Sequence, residues 1–240
     1  MTEEPYRWLE AINNRREYIR DQLKGGTPVF ALSRPEGILL LGVGQGQSKV
    51  FEIYDRHAFG ALGHPVDIEK LRQSAIEAAH VEGFNRSSRD VTLRRLISFA
   101  LSTTLKSSFE QIFSPPLMVE CVFAEVGLTP GADVLVRLHY DGNHHYETSG
   151  VLVVHAESKK QEEAAVWLRK TLPGSASLSE AVSFCLTAWQ ALTDDKPFAD
   201  LAAPTQPVQK IEGRTIEAAL LDRAATGSVH YRALDVSQLK

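Results

Sequence analysis

Thr27-Pro-Val-Phe-Ala-Leu32, Glu36-Gly-Ile-Leu-Leu-Leu-Gly42, Ser48-Lys-Val-Phe-Glu-Ile-Tyr-Asp-Arg56 and Ala58-Phe-Gly-Ala-Leu-Gly63 follow one another closely in the chain. Each is a short apolar run of strand length, and glycine-bearing turns join them. Two long segments of helical periodicity come directly afterwards. The order predicts strands first and helices second, so the chain is not a regular β–α alternation.

Outward from this block the pattern continues. Residues 5–23 predict a leading helix, with Trp8, Ile12, Ile19 and Leu23 on one face. Gly25-Gly26 ends it. Val66–Phe84 predicts a helix with Ile68, Leu71 and Ala75 inward and with Asp67 and Glu69 in its first turn. A second helix is expected from an N-cap at Asp90 to Phe113, with Leu93, Ile97, Ala100, Leu101, Thr104 and Leu105 as its buried stripe. Pro115-Pro116 stops it.

Strands resume at Met118–Gly127, Val134–Tyr140 and Gly150–Val154, with a turn signal at Asp141-Gly142. Ser158–Leu172 predicts a third helix. Ser177-Leu-Ser-Glu180 is a capping box that opens a fourth, whose stripe is Ala181, Val182, Cys185, Ala188, Trp189 and Leu192. Residues 195–210, with Pro197, Pro204 and Pro207, predict a surface loop. Thr215–Arg223 and Ser228–Arg232 predict a final strand pair. Each helix pair can cover one face of a two-sheet stack, all within one domain over 1–240.

Composition sets the outer bounds. The chain has 240 residues, 43% apolar and 23% charged, in the range of an ordinary globular domain. A net charge of −4 gives no reason to expect a nucleic acid or an anionic membrane as partner. Charges at Glu3, Glu4, Arg7 and Glu10 interrupt any signal-peptide core, and no apolar run reaches membrane-spanning length. Cys121 and Cys185 each sit inside an apolar run and read as buried free thiols, so the expected location is cytoplasmic.

At this point the chain resembles a proteasome α-subunit of the type some bacteria possess, within the N-terminal-nucleophile superfamily. The resemblance covers nearly the whole length. It is carried by Glu52-Ile-Tyr-Asp-Arg56, Ala58-Phe-Gly-Ala-Leu-Gly63, Arg89-Asp-Val-Thr92, Val119-Glu-Cys-Val-Phe-Ala-Glu-Val126 and Ile216-Glu-Ala-Ala-Leu-Leu-Asp-Arg223. It implies an α+β, four-layer αββα sandwich. It also implies a heptameric ring of this chain stacked on rings of catalytic β-subunits, and a ring-shaped AAA-type ATPase as activator. It implies unfolded proteins as substrates, among them ones tagged with a prokaryotic ubiquitin-like protein. Within residues 1–24, the leading helix would pack on a neighbouring subunit, and Met1, Thr2, Glu3 and Glu4 would gate the axial pore.

Thr27 stands where a catalytic β-subunit of this superfamily keeps its nucleophile, and Lys49 where it keeps the lysine that lowers the proton affinity of the base. Cleavage before Thr27 would free an α-amine to activate its hydroxyl. Three features oppose this. The family's catalytic aspartate aligns with Val43. Pro28 follows Thr27 and removes the next backbone N–H. The preceding segment is an amphipathic helix rather than an evident propeptide. The expectation is a non-catalytic subunit. A threonine peptidase using Thr27, and a ring scaffold without a β partner, are the alternatives.

In the α-subunits it resembles, the lysine at the position of Lys49 pairs with the C-terminal carboxylate of an activator's tail, and the glycine at Gly63 lets the tail's aromatic residue approach. The neighbouring His64 and Pro65 depart from the family's pattern. Other signals are weaker. Gly42-Val-Gly-Gln-Gly46 is followed by a strand, not the helix a phosphate loop needs. His139, His144 and His145 fit two strands and a turn without a metal. Glu120 and Glu125 fall on opposite faces of one strand, so they do not form an acid–base pair. No cofactor is implied.

Overall fold

The computed structural model describes residues 4–206 and 210–239. Helix α1 spans Glu4–Leu23. Strands β1 (Val29–Arg34), β2 (Gly37–Gly44), β3 (Val50–Tyr54) and β4 (His57–Gly63) come next. Helix α2 (Pro65–Asn85) leads to α3 (Leu93–Leu96), which continues through a π turn over Ile97–Leu101 into α4 (Ser102–Glu110). Then come β5 (Val119–Glu125), β6 (Val134–Leu138), β7 (His144–Glu147) and β8 (Val151–Val154). Helices α5 (Ser158–Thr171) and α6 (Leu178–Thr193) and strands β9 (Thr215–Asp222) and β10 (Tyr231–Leu234) complete the order.

All strand pairings are antiparallel. They build two five-stranded sheets, β10-β9-β2-β1-β8 and β3-β4-β5-β6-β7. β2 is buried along its whole length because it is covered on both faces. Leu39 and Leu41 turn to α5 and α6, packing with Trp167, Leu168, Val182 and Trp189. Ile38 and Leu40 turn the other way, onto Val122, Ala124 and Ala219 between the sheets. The second sheet repeats this: Phe59, Cys121 and Phe123 meet Leu71, Ala75, Leu93 and Leu101 under the other helices. The period-two alternation of the strands thus yields helix, sheet, sheet and helix layers. The capping box at α6 is formed, with Glu180 N–H donating to Ser177 Oγ at 3.3 Å and Ser177 N–H to Glu180 Oε2 at 2.6 Å.

Three expectations shift. First, Trp8 does not join the buried face of α1; it and Leu9 are 50% and 58% exposed, while Ile19 and Leu23 near the other end are buried. Second, the helix expected from Asp90 begins at Leu93, because Ser88–Asp90 form a separate 3₁₀ turn. Its cap is non-local: the Leu93 amide donates to Glu125 Oε2 at 2.8 Å. The helix also ends at Glu110, where Arg15 of α1 donates to the carbonyls of Ser108, Ile112 and Ser114, and Thr104 is exposed. Third, the last strand begins at Tyr231, because His230 N–H donates to Asp55 in the turn between β3 and β4. Within the loop expected over 195–210, Phe198–Asp200 form a 3₁₀ turn and Trp167 Nε1 donates to Leu201 O at 3.0 Å; residues 207–209 lie outside the described ones.

Glu125 also sits 3.1 Å from Arg56 Nη2 and 3.5 Å from His57 Nε2. Burial pushes its pKa up, but the contact with His57, the Leu93 amide and the Arg56 charge outweigh this, leaving it below the ordinary value. A depressed folded pKa stabilises the fold above the unfolded carboxyl pKa, and that contribution is lost as pH falls through the folded value. Glu125→Gln should therefore cost about 1–3 kcal/mol at neutral pH and should flatten the acid limb of the stability curve. Urea unfolding at a series of pH values checks both; an unchanged acid limb would refute the assignment.

Candidate functional site

Thr27 lies two residues before β1. Its hydroxyl donates to the carbonyl of Val43 at 2.5 Å. The Val43 side chain points the other way, buried in the core under α5 and α6. Lys49 stands just before β3, and its stem runs along Gly42 and Gly44 of β2. A Cβ on Gly42 would come within 3.1 Å of the Lys49 Cβ, and one on Gly44 within 3.5 Å of its Cε. Bare backbone at these two residues makes the channel for the lysine.

The ammonium of Lys49 donates to the Thr27 carbonyl at 3.4 Å. Glu217 of β9 holds the residue from behind: its Oε2 accepts the amides of Lys49 at 2.6 Å and Val50 at 3.3 Å. Burial lowers the Lys49 pKa, and the Glu217 charge opposes this in part. Among the described residues no carboxylate reaches ion-pair distance of the ammonium. An ammonium has three donors, and one acceptor is engaged here.

Gly63 is at the same end of the β3–β4 hairpin, two residues beyond Ala61, whose N–H donates to Lys49 O at 3.0 Å. Its φ is +139°, and any Cβ there would collide with the Met118 carbonyl. The backbone crossing alone demands glycine. His64 and Pro65 have a local role. The His64 ring Nδ1 accepts the Val66 amide at 3.3 Å and Pro65 occupies the first turn of α2. Met1, Thr2 and Glu3 lie outside the described residues, and Glu4 is the first residue of α1.

The other singled-out residues are dispersed. Glu120 and Glu125 do face opposite sides of β5: the first pairs with Arg137 and His139, the second caps α3. His144 stacks edge-on against Tyr146, away from the Glu120 contact made by His139. The sequence reading missed Glu217. It lies inside the segment Ile216–Arg223 that carried the resemblance, and a glutamate in an otherwise apolar strand was the available signal.

Two antiparallel sheets between two helix layers, with a threonine ahead of the first strand and a lysine reaching it, define the αββα class of the N-terminal-nucleophile type. No family model matches the chain. It is 35% identical over 223 residues to the proteasome subunit alpha of Actinosynnema mirum, covering 89% of this chain and 77% of that protein. It is 33% identical over 217 residues to that of Xylanimonas cellulosilytica, covering 90% and 85%. The subunit from Streptomyces scabiei shares 31% over 233 residues, covering 96% and 87%. The chain belongs to the proteasome α-subunit family.

Proposed function

We propose that this chain is a non-catalytic α-ring subunit of a 20S-type proteasome core in the cytoplasm. It forms a ring, controls entry of unfolded proteins and docks a ring-shaped ATPase, while a separate β-subunit hydrolyses peptide bonds. The carrying observation is the environment of Thr27. Its hydroxyl hydrogen is directed at the Val43 carbonyl, which cannot take up a proton. The lysine beside it has no carboxylate partner among the described residues. Neither the hydroxyl nor the lysine is set to activate a threonine.

The same lysine supports the docking role. A partly buried ammonium with donors to spare suits a terminal carboxylate, and capture of a chain end in this way is a recurrent recognition mode. Exposed Trp8 and Leu9 on α1 support packing against a neighbouring subunit.

Because burial lowers the Lys49 pKa, tail binding should be full below that lowered value and decline as pH rises through it. The bound state favours the charged form. Fluorescence anisotropy of an activator-tail peptide across the alkaline range checks this. An affinity flat with pH, or an amidated peptide that binds equally well, would remove the ion-pair role. The assembly claim is tested by co-expression with a β-type subunit and native sizing. A stacked-ring particle with peptidase activity supports the reading; a single ring that ignores the β chain favours a scaffold.

A further inference from the structure

A narrow cleft of about 220 Å³ opens beside the last turns of α1, and it shares no residue with the Thr27–Lys49 site. Arg16 and Arg20 of α1 form one wall. Glu120 of β5, with Arg137 and His139 at the end of β6, forms another, and Ser158 at the first turn of α5 borders it.

The charges here are unevenly satisfied. Glu120 is buried and already shared, 3.4 Å from Arg137 Nη2 and 3.0 Å from His139 Nδ1. Asp141 at the rim is engaged by the Asn143 amide and side chain, at 3.1 and 2.8 Å. Arg137 is 11% exposed, and its Nε is buried without an acceptor. Arg20 meets the hydroxyl of Tyr140. Arg16 reaches Asn13 Oδ1 at 3.5 Å, and its guanidinium lies 5.7 Å over the Phe109 ring. Neither Arg16 nor Arg20 has a carboxylate partner among the described residues. Helix α5, 14 residues long, starts at Ser158 with no side-chain cap from Glu157, so its positive end adds to the field.

We propose that this cleft binds a small oxyanion of the phosphate class. Guanidinium forks and a phosphate match in geometry, because several oxygens can accept from several fixed N–H groups at once. Such an anion would meet the charges of Arg16 and Arg20 and the part of the Arg137 guanidinium that lines the cleft. A spherical halide lacks the spread of acceptors to bridge several guanidinium groups at once. The polar, narrow cleft admits an inorganic phosphate, whereas a neighbouring chain's carboxylate is the competing source of the same chemistry.

The test is titration of the full chain, in its native oligomeric state, with inorganic phosphate against chloride at equal ionic strength. Isothermal calorimetry and the unfolding temperature are the readouts. Arg20→Gln and the Arg16→Gln/Arg20→Gln pair are the variants, since Arg20 is exposed and Arg16 half-buried, and circular dichroism checks their fold. The proposal expects saturable phosphate binding to the parent chain, weakened at least tenfold in the single variant and abolished in the pair. It is overturned by no saturable binding to the parent, or by equal binding to all three. It is equally overturned if phosphate has no effect while the variants change the oligomer's size, which would assign the cleft to a carboxylate of another copy.

Discussion

Lys49→Met should reduce activator-stimulated protein degradation to the unstimulated level while leaving subunit assembly intact. Methionine keeps an unbranched stem for the channel over Gly42 and Gly44 and deletes the ammonium. One charge-assisted hydrogen bond is worth about 1.5–3 kcal/mol, so each tail should bind roughly 10- to 150-fold more weakly. An activator that engages several subunits at once multiplies that loss through effective concentration. The fold should respond in the opposite sense. Burial already disfavours the charged form of Lys49, so removing the charge should leave stability unchanged or slightly raised. Stimulated degradation paired with a stability readout separates the two roles. Full stimulation in the variant, or a collapse in stability, would contradict the assignment.

Arg223→Ala should be among the most damaging single substitutions to the fold. The Arg223 guanidinium faces Asp133 squarely, Nη1 to Oδ1 at 2.7 Å and Nη2 to Oδ2 at 2.9 Å. It also donates to the carbonyls of Pro35, Gly127 and Arg34, at 3.1, 2.6 and 2.9 Å. The pair is nearly out of water, 11% and 2% exposed. It ties the end of β9 to the β1–β2 turn and to the loop between β5 and β6, and so one sheet to the other. Removing one member of a buried pair leaves the other charge uncompensated, at a cost of about 3–5 kcal/mol. Arg223→Lys should recover little, because an ammonium cannot reproduce the planar fork. Denaturant midpoints would measure this; a loss no larger than that of an exposed arginine would refute it.

The layers of the fold were legible because each strand carries alternating or continuous apolar runs and each helix a three-to-four-residue stripe. Thr27, Lys49 and Val43 were legible as a group only through the family resemblance, which aligns them with the catalytic positions of a β-subunit. What escaped depends on contacts between residues far apart in the chain. The cap at Leu93 is a carboxylate from β5, so local pattern placed the helix start at Asp90. The support for Lys49 is Glu217, 168 residues away. The carbonyls at the end of α4 are held by Arg15 of α1, and no local stop signal marks Glu110. Trp8 fits a buried stripe by spacing, yet that end of α1 is left uncovered within a single chain. Gly63 matched a family position, and the structure adds a reason independent of any ligand: the carbonyl of Met118 leaves no room for a side chain.

The most direct test of the central claim is peptide hydrolysis by this chain purified without a β partner, read together with its intact mass. The account predicts no cleavage above background, the same result for Thr27→Ala, and a mass that retains the residues before Thr27. Cleavage that disappears in Thr27→Ala, from a chain whose first residue has become Thr27, would contradict it.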